Sequence, residues 1–311
     1  MADLQALYKE FGPSGLIPYA LTAGSKGQRL LIDKIKEGDA LFFLESPFHV
    51  PFLRIYDGKY HMLAYTDEKE AEAAQEAARR ERYDTIIQTV PNSEREDFFK
   101  KAFSSGAEAV RIDDALSIPT GLLAEVPTYD GRPTPEHILL NRELNAAVFY
   151  YFQVAYAQKN NAAAEKRWAE LMFHSELLIA VEDDAANDYP FIIGSVGKAP
   201  CFYIFSDWNE AGKVFPGKLP ACVVVTLDEL EDVLTQFPGY KLLYNKGSCH
   251  CAMDSVMLQT IRTIVNSAGF VSETPIAAPQ TGKGSIPAVA AISHVSEDDW
   301  DSADPTPDWL K

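Results

Sequence analysis

Short apolar runs bounded by Gly, Pro, Asp or Asn recur along the chain, each next to a stretch whose apolar positions return every three or four residues. Runs of the first kind predict strands, and stretches of the second kind predict helices packed on one face. In the first half the strands are GDALFFLE (38–45), PFLRIY (51–56), YHMLAY (60–65), YDTIIQTV (83–90) and AEAVRID (107–113), with helices over 28–37, 66–82 and 92–103. The second half repeats the order with SELLIAVE (175–182), PFIIGSV (190–196), APCFYIF (199–205), PACVVVT (220–226) and YKLLYN (240–245). Leu227, Leu230, Val233 and Leu234 fall at helical spacing and are core positions, whereas EKEAEAAQEAARRER (68–82) reads as a solvated, ion-paired helix face.

One phrase ties the halves together. GKYHMLAYTDEKEA begins at Gly58 and GKAPCFYIFSDWNEA at Gly197, an offset of 139 at the glycines and 140 at Asp67 and Asp207, which implies one inserted residue. Each glycine marks the corner of a β-hairpin, and Thr66-Asp67 or Ser206-Asp207 opens a helix by accepting its orphan amides. Each copy therefore reads helix, three strands, helix, strand, helix, strand. This is an α+β unit in which helices pack on one sheet.

Composition narrows the partners. The 28 basic and 45 acidic residues leave a charge of −17, which repels phosphate backbones and anionic lipid. No apolar stretch approaches the roughly 20 residues of a membrane helix, and MADLQALYKEFG carries no signal-peptide pattern, so the expected location is the cytoplasm. Cys201, Cys222, Cys249 and Cys251 suit buried thiols. Cys249-His250-Cys251 has no second Cys/His cluster to complete a metal site, and small residues opening a helix explain it more simply. No metal or other cofactor is expected. TGKGS (281–285) lacks the spacing of a phosphate-binding loop, and no nucleophile elbow or dinucleotide fingerprint is present.

PTYDGRPTPEH punctuates the chain between the copies, giving an expected first module over 1–127, a linker over 128–135 and a second module over 136–268. The following HILLNRELNAAVFYYFQVAYAQKNN is a long helix placed against the second sheet or in the seam between modules; an exposed aromatic face there would instead mark a homodimer contact. Residues 269–311 form an acidic tail expected to be flexible, with Trp300, Asp301 and Trp309 as candidate anchors for a protein partner.

LLNRELNAA leading into the long helix, LLIAVE, APCFYIFSDWNEA and YKLLYNKGS occur in the order and spacing of the SseB family, whose N-terminal domain residues 139–262 resemble. The resemblance implies two tandem SseB-like α+β modules and a regulatory or protein-interaction role without catalysis. The family has Asn-Pro-Gly-Ser where this chain has Asn245-Lys246-Gly247-Ser248, and the first copy, with IDDALS, lacks the Asn and Gly. As structure, that turn has Gly247 at positive φ and Ser248 capping the next helix. As a site, its amides with Lys246, Ser206 and Asp207 would hold a small anion such as an amino-acid carboxylate. The leading expectation is an interaction or immunity-like protein whose acidic surface meets a basic partner. A small-molecule sensor is the first rival, and a hydrolase or thiol enzyme using Ser248 or Cys249 with His250 the second.

Overall fold

The computed structural model describes residue 16 and residues 24–37, 40–47, 49–124, 139–182 and 191–267. Trp300, Asp301, Trp309, the tail and the proposed linker lie outside these. The described residues form an α+β structure with two six-stranded mixed sheets. The first comprises α1 (Gly24–Glu37), β1 (Ala40–Glu45), β2 (Leu53–Tyr56), β3 (Lys59–Tyr65), α2 (Glu68–Arg80), β4 (Ile86–Pro91), a single 3-10 turn, α3 (Arg95–Ser104), β5 (Ala109–Ile112), β6 (Leu116–Pro119) and α4 (Thr120–Leu123). The second comprises α5 (Arg142–Tyr156), α6 (Ala162–His174), β7 (Leu177–Val181), β8 (Ile193–Val196), β9 (Ala199–Phe205), α7 (Trp208–Val214), β10 (Ala221–Val225), α8 (Leu227–Gln236), β11 (Lys241–Tyr244), β12 (Cys251–Met253) and α9 (Ser255–Ser267).

The two sheets share one topology. The first runs β4-β1-β3-β5-β6 with β2 beside β3, and the second β10-β7-β9-β11-β12 with β8 beside β9. Only β3–β5 and β9–β11 pair in parallel. Each sheet ends in a strand that the periodicity did not predict, β6 or β12. In the first, Asp113 and Asp114 both take positive φ, 47° and 53°, and fold the chain straight back so that Arg111 faces Ser117.

Pairing register corrects the inferred insertion. Tyr56 faces Lys59 in one hairpin and Val196 faces Ala199 in the other, so the offset is 140 from the hairpins through Asp67 and Asp207. Asp57 and Gly58 both have positive φ, 51° and 76°, while the second hairpin needs it only at Gly197, 57°. The glycine moved one place because the turn type changed.

Strand alternation builds the packing. Met62 and Ala64 of β3, with Phe202 and Ile204 of β9, join one apolar cluster that takes in α5, α6 and both sheets. Their neighbours Leu63 and Tyr65 pack beneath Ala71 and Ala78 of α2, and Tyr203 and Phe205 beneath Trp208 and Ala211 of α7. Each Leu, Ile or Phe so buried contributes about 1.5–3 kcal/mol. The ion-paired face expected of α2 is present, with Arg79 2.9 Å from Glu76.

The long predicted helix is α5, which ends at Tyr156 before Gln158 turns left-handed (φ 53°), and the helix expected ahead of the second module's first strand follows as α6, capped by Asn161 through Ala164 N (3.1 Å). The first of them, α5, touches both sheets. Gln153 accepts from Leu53 N and donates to Leu53 O, both at 2.9 Å, pairing the polar groups that β2 turns away from β3. Arg142 donates to Phe103 O (2.8 Å) and Ala107 O (3.0 Å) and lies 3.6 Å over the Phe103 ring. Gly106 admits this helix: at φ 83°, a Cβ there would stand 1.9 Å from Arg142 O.

Candidate functional site

Because β9 and β11 run parallel, their C-terminal ends lie side by side and the residues that follow them meet. Asn245 leaves β11 in the left-handed region (φ 45°), a conformation asparagine tolerates. Its Oδ1 accepts from Ser206 N (2.9 Å) and its Nδ2 donates to Ser206 Oγ (3.0 Å), fixing the start of α7 to the end of β11. Asp207 caps α7 through Oδ1, which accepts from Asn209 N (2.9 Å) and Glu210 N (3.0 Å). Its Oδ2 accepts from Asn145 Nδ2 of α5 (2.8 Å), and that same nitrogen donates to Ser104 O of α3 (3.1 Å). One amide therefore joins the helix start of the second sheet to a helix of the first.

Beside this group, Glu210 accepts from Ser248 Oγ (2.6 Å) and pairs with Lys213. Asn145, Ser206, Asp207, Glu210 and Asn245 are all sealed from solvent and Ser248 nearly so. Burial, and then the neighbouring Glu210 carboxylate, push Asp207 up to about 6, while the bonds from Glu210 N and Asn145 partly offset that rise.

Ser206, Asp207, Asn245 and Ser248 thus come together as the sequence suggested, but facing one another. The amides at both ends of the turn are also engaged: Asn245 N donates to Ile204 O (3.0 Å) and Ser248 N to Asn245 O (2.9 Å), which His250 N also reaches (3.1 Å). Lys246 and Gly247 are exposed, and Lys246 Nζ reaches Tyr203 OH (3.3 Å). Two expectations for this turn are corrected. Asn245, not Gly247, takes the positive φ; glycine is needed at 247 because a Cβ would stand 2.5 Å from that of Lys213. Ser248 caps no helix, since α9 starts at Ser255 under an Asp254 cap that accepts from Met257 N (3.0 Å).

Cys249-His250-Cys251 does not open a helix either: Cys251 begins β12. Burial raises the Cys249 thiol far above its ordinary range and that of Cys251 to about 12, so both stay protonated at neutral pH. Burial, and then the charge on Lys246, hold His250 below its usual value. Among the described residues no cluster of three or more His, Cys, Asp or Glu side chains has the arrangement to hold a metal ion.

The first module has the same turn in open surroundings. Register makes Asp113 the counterpart of Asn245, and it takes φ 47°. Its carboxylate accepts from Thr66 N and Thr66 Oγ1, both at 2.8 Å, while Asp67 caps α2 through Lys69 N (2.8 Å). IDDALS therefore keeps the device that the absent Asn and Gly suggested it had lost. The sequence reading missed Asn145, Glu210 and Lys213. An amide inside the apolar run of α5 was the available signal.

No protein-family model matches the chain, and no curated protein matches it by sequence. Among solved structures, the chain is similar at a low level to two Tic22 proteins. One is Anabaena Tic22 (protein transport), with 17% identity and a TM-score of 0.17, covering 68% of this chain and 91% of that one. The other is Tic22 from Plasmodium falciparum, with 11% identity and a TM-score of 0.18, covering 76% and 99%.

Proposed function

We infer that the protein is a non-catalytic interaction protein of the SseB type, acting in the cytoplasm, whose acid-rich surface engages a basic protein partner. The observation that carries this reading is where the reactive side chains are used. At the strand ends, where acid, amide, hydroxyl and ammonium groups converge, each is bonded to its neighbours and Asn145 ties two helices together. The thiols beside them are held protonated by burial. That leaves the surface as the working part, and the chain's formal charge of −17 selects for a partner of opposite sign.

Trp300 and Trp309 supply aromatic anchors for the same contact, and Asp301 beside them adds a charge that steers a basic partner. The test is affinity capture from the source cell with the wild-type chain and with the full-length Trp300→Ala/Trp309→Ala variant, followed by reconstitution with the purified partner over a salt series. A stoichiometric basic partner whose affinity falls with salt and with the double variant is expected. A partner that is acidic, or whose binding ignores salt, would overturn the reading.

A further inference from the structure

The first sheet carries a cleft of about 570 Å3 between its β1–β4 edge and α3, lined by Phe43, Glu45, His49, Gln88, Thr89, Val90, Glu94, Asp97, Phe98 and Lys101. That volume falls in the range, roughly 300–1,000 Å3, of small-ligand sites. Its apolar wall is the Phe43–Phe98 pair, ring centres 4.6 Å apart, with buried Val90. At its base sits the carboxylate of Glu45, 3% exposed. Lys101 Nζ donates to Oε1 (2.8 Å), Gln88 Nε2 donates to Oε2 (2.9 Å), and His49 Nδ1 lies 3.5 Å from Oε2.

The fold does not require this charge. In the second sheet, register places Val181 where Glu45 stands and Val223 where Gln88 stands. Burying a carboxylate costs several kcal/mol before its partners offset it, so two valines are the cheaper solution to the same packing problem. Glu45, with Gln88, is an addition made in the first module alone, at the base of an open cleft.

The lining also selects a sign of charge. Three carboxylates, Glu45, Glu94 and Asp97, meet Lys101 in the lining and Lys100 beside it, whose Nζ lies 3.8 Å from Asp97 Oδ1, so one acid is in excess while His49 is neutral. The aromatic wall reinforces that preference, because ring faces attract cations and Lys101 Nζ already lies 5.9 Å from the Phe43 ring centre. We propose that this cleft binds an ammonium or guanidinium group on a short aliphatic stem, with the stem against Phe43, Phe98 and Val90 and the head group between Glu94 and Asp97 under the field of Glu45. Lysine and arginine side chains of a basic partner carry this group, and so do free alkylamines. The cleft itself stands independently of the partner reading, and only the assignment of its occupant to a protein rests on it.

The test is a titration of the 15N-labelled full chain with agmatine, with cadaverine, with an acetylated Ala-Arg-Ala amide and with uncharged butylurea. Saturable shifts at Gln88, Thr89, Val90, Glu94 and Asp97 are expected for the cations and absent for butylurea. Glu94→Gln/Asp97→Asn, at exposed carboxylates of the α3 N-cap and first turn, is expected to weaken cation binding about tenfold while lowering the melting temperature by no more than a few degrees. Shifts with the peptide assign the site to a partner's side chain; shifts with the free amines alone assign it to a small molecule. If no cation gives a saturable shift, or if butylurea binds equally, the inference falls, and the capture experiment still decides the partner reading separately.

Discussion

Thr66 with Asp113 and Ser206 with Asn245 are one turn built twice, half-exposed to water in the first module and sealed from it in the second. In both, a residue in the left-handed region sends its side-chain oxygen to the amide that follows the neighbouring parallel strand. The open copy uses a carboxylate and the sealed copy an amide. The difference follows from solvation: the half-buried carboxylate of Asp113 keeps part of its hydration, whereas a fully buried one beside Asp207 and Glu210 would add a third acid to a space that already holds two. An amide also supplies the donor that Ser206 Oγ receives. The shape of the turn is thus common to both modules, and the side chain that makes it is set by what covers it.

Exchanging the two side chains tests this most sharply. Asn245→Asp removes the donor to Ser206 Oγ and places a carboxylate at a fully buried position, so a loss of about 4 kcal/mol is expected at pH 7. The urea midpoint measures it. A loss below about 1 kcal/mol would mean that the sealed turn tolerates charge as the open one does.

Next in size is the effect of pH through Asp207. Its folded pKa of about 6 lies above the ordinary 3.8, so the folded state holds this proton more tightly than the unfolded chain does. The associated stability is fully present below about pH 4 and is lost as pH rises through about 6, a decline on the order of 3 kcal/mol. Comparing pH 4 and pH 7 in the wild type and in Asp207→Asn isolates it. The variant is expected to lack this component of the decline, and an unchanged pH slope would remove Asp207 as its source.

Asn145→Ala comes third. It strips Asp207 Oδ2 and Ser104 O of their shared donor, for an expected loss of about 2 kcal/mol, with faster amide exchange at Asn209 and Glu210 as the local readout. Unchanged exchange there would show that the bridge contributes nothing to the helix start. No amide donor reaches Asp67 from α5 among the described residues, so the start of α2 should be unaffected, while the lost bond to Ser104 O is felt at the end of α3.

Much of this architecture is legible in one dimension, because alternation and helical spacing follow directly from which face is buried. The strand runs, the hairpins and the Asp67 and Asp207 caps all needed only neighbours within a few residues. What resisted reading depended on contacts across the chain. Gly58 and Gly197 look equivalent as letters, yet only the hairpin registers reveal that Gly197 matches Asp57. Asp113 and Asn245 differ as letters and are equivalent in space, again through register. Ser206, Asp207, Asn245 and Ser248 were recognised as a group, but their burial depends on Asn145, about 60 positions before Asp207 in the chain. A local pattern can suggest polar groups that belong together; it holds no information about a helix that later covers them.

The smallest effect belongs to the open turn. In Asp113→Asn the Oδ1 acceptor for Thr66 N can be kept, and the new amide nitrogen can donate to Thr66 Oγ1, which then turns its own proton outward. Both bonds survive with one reversed, and the lost charge was already partly in water, so the cost should stay below about 1 kcal/mol. The measurement is the urea midpoint beside that of Asn245→Asp. A small loss here and a large one there would establish that solvent cover, rather than the turn itself, separates the two modules. Equal losses would mean that each side chain is fitted to its turn by geometry, and the solvation argument would fail.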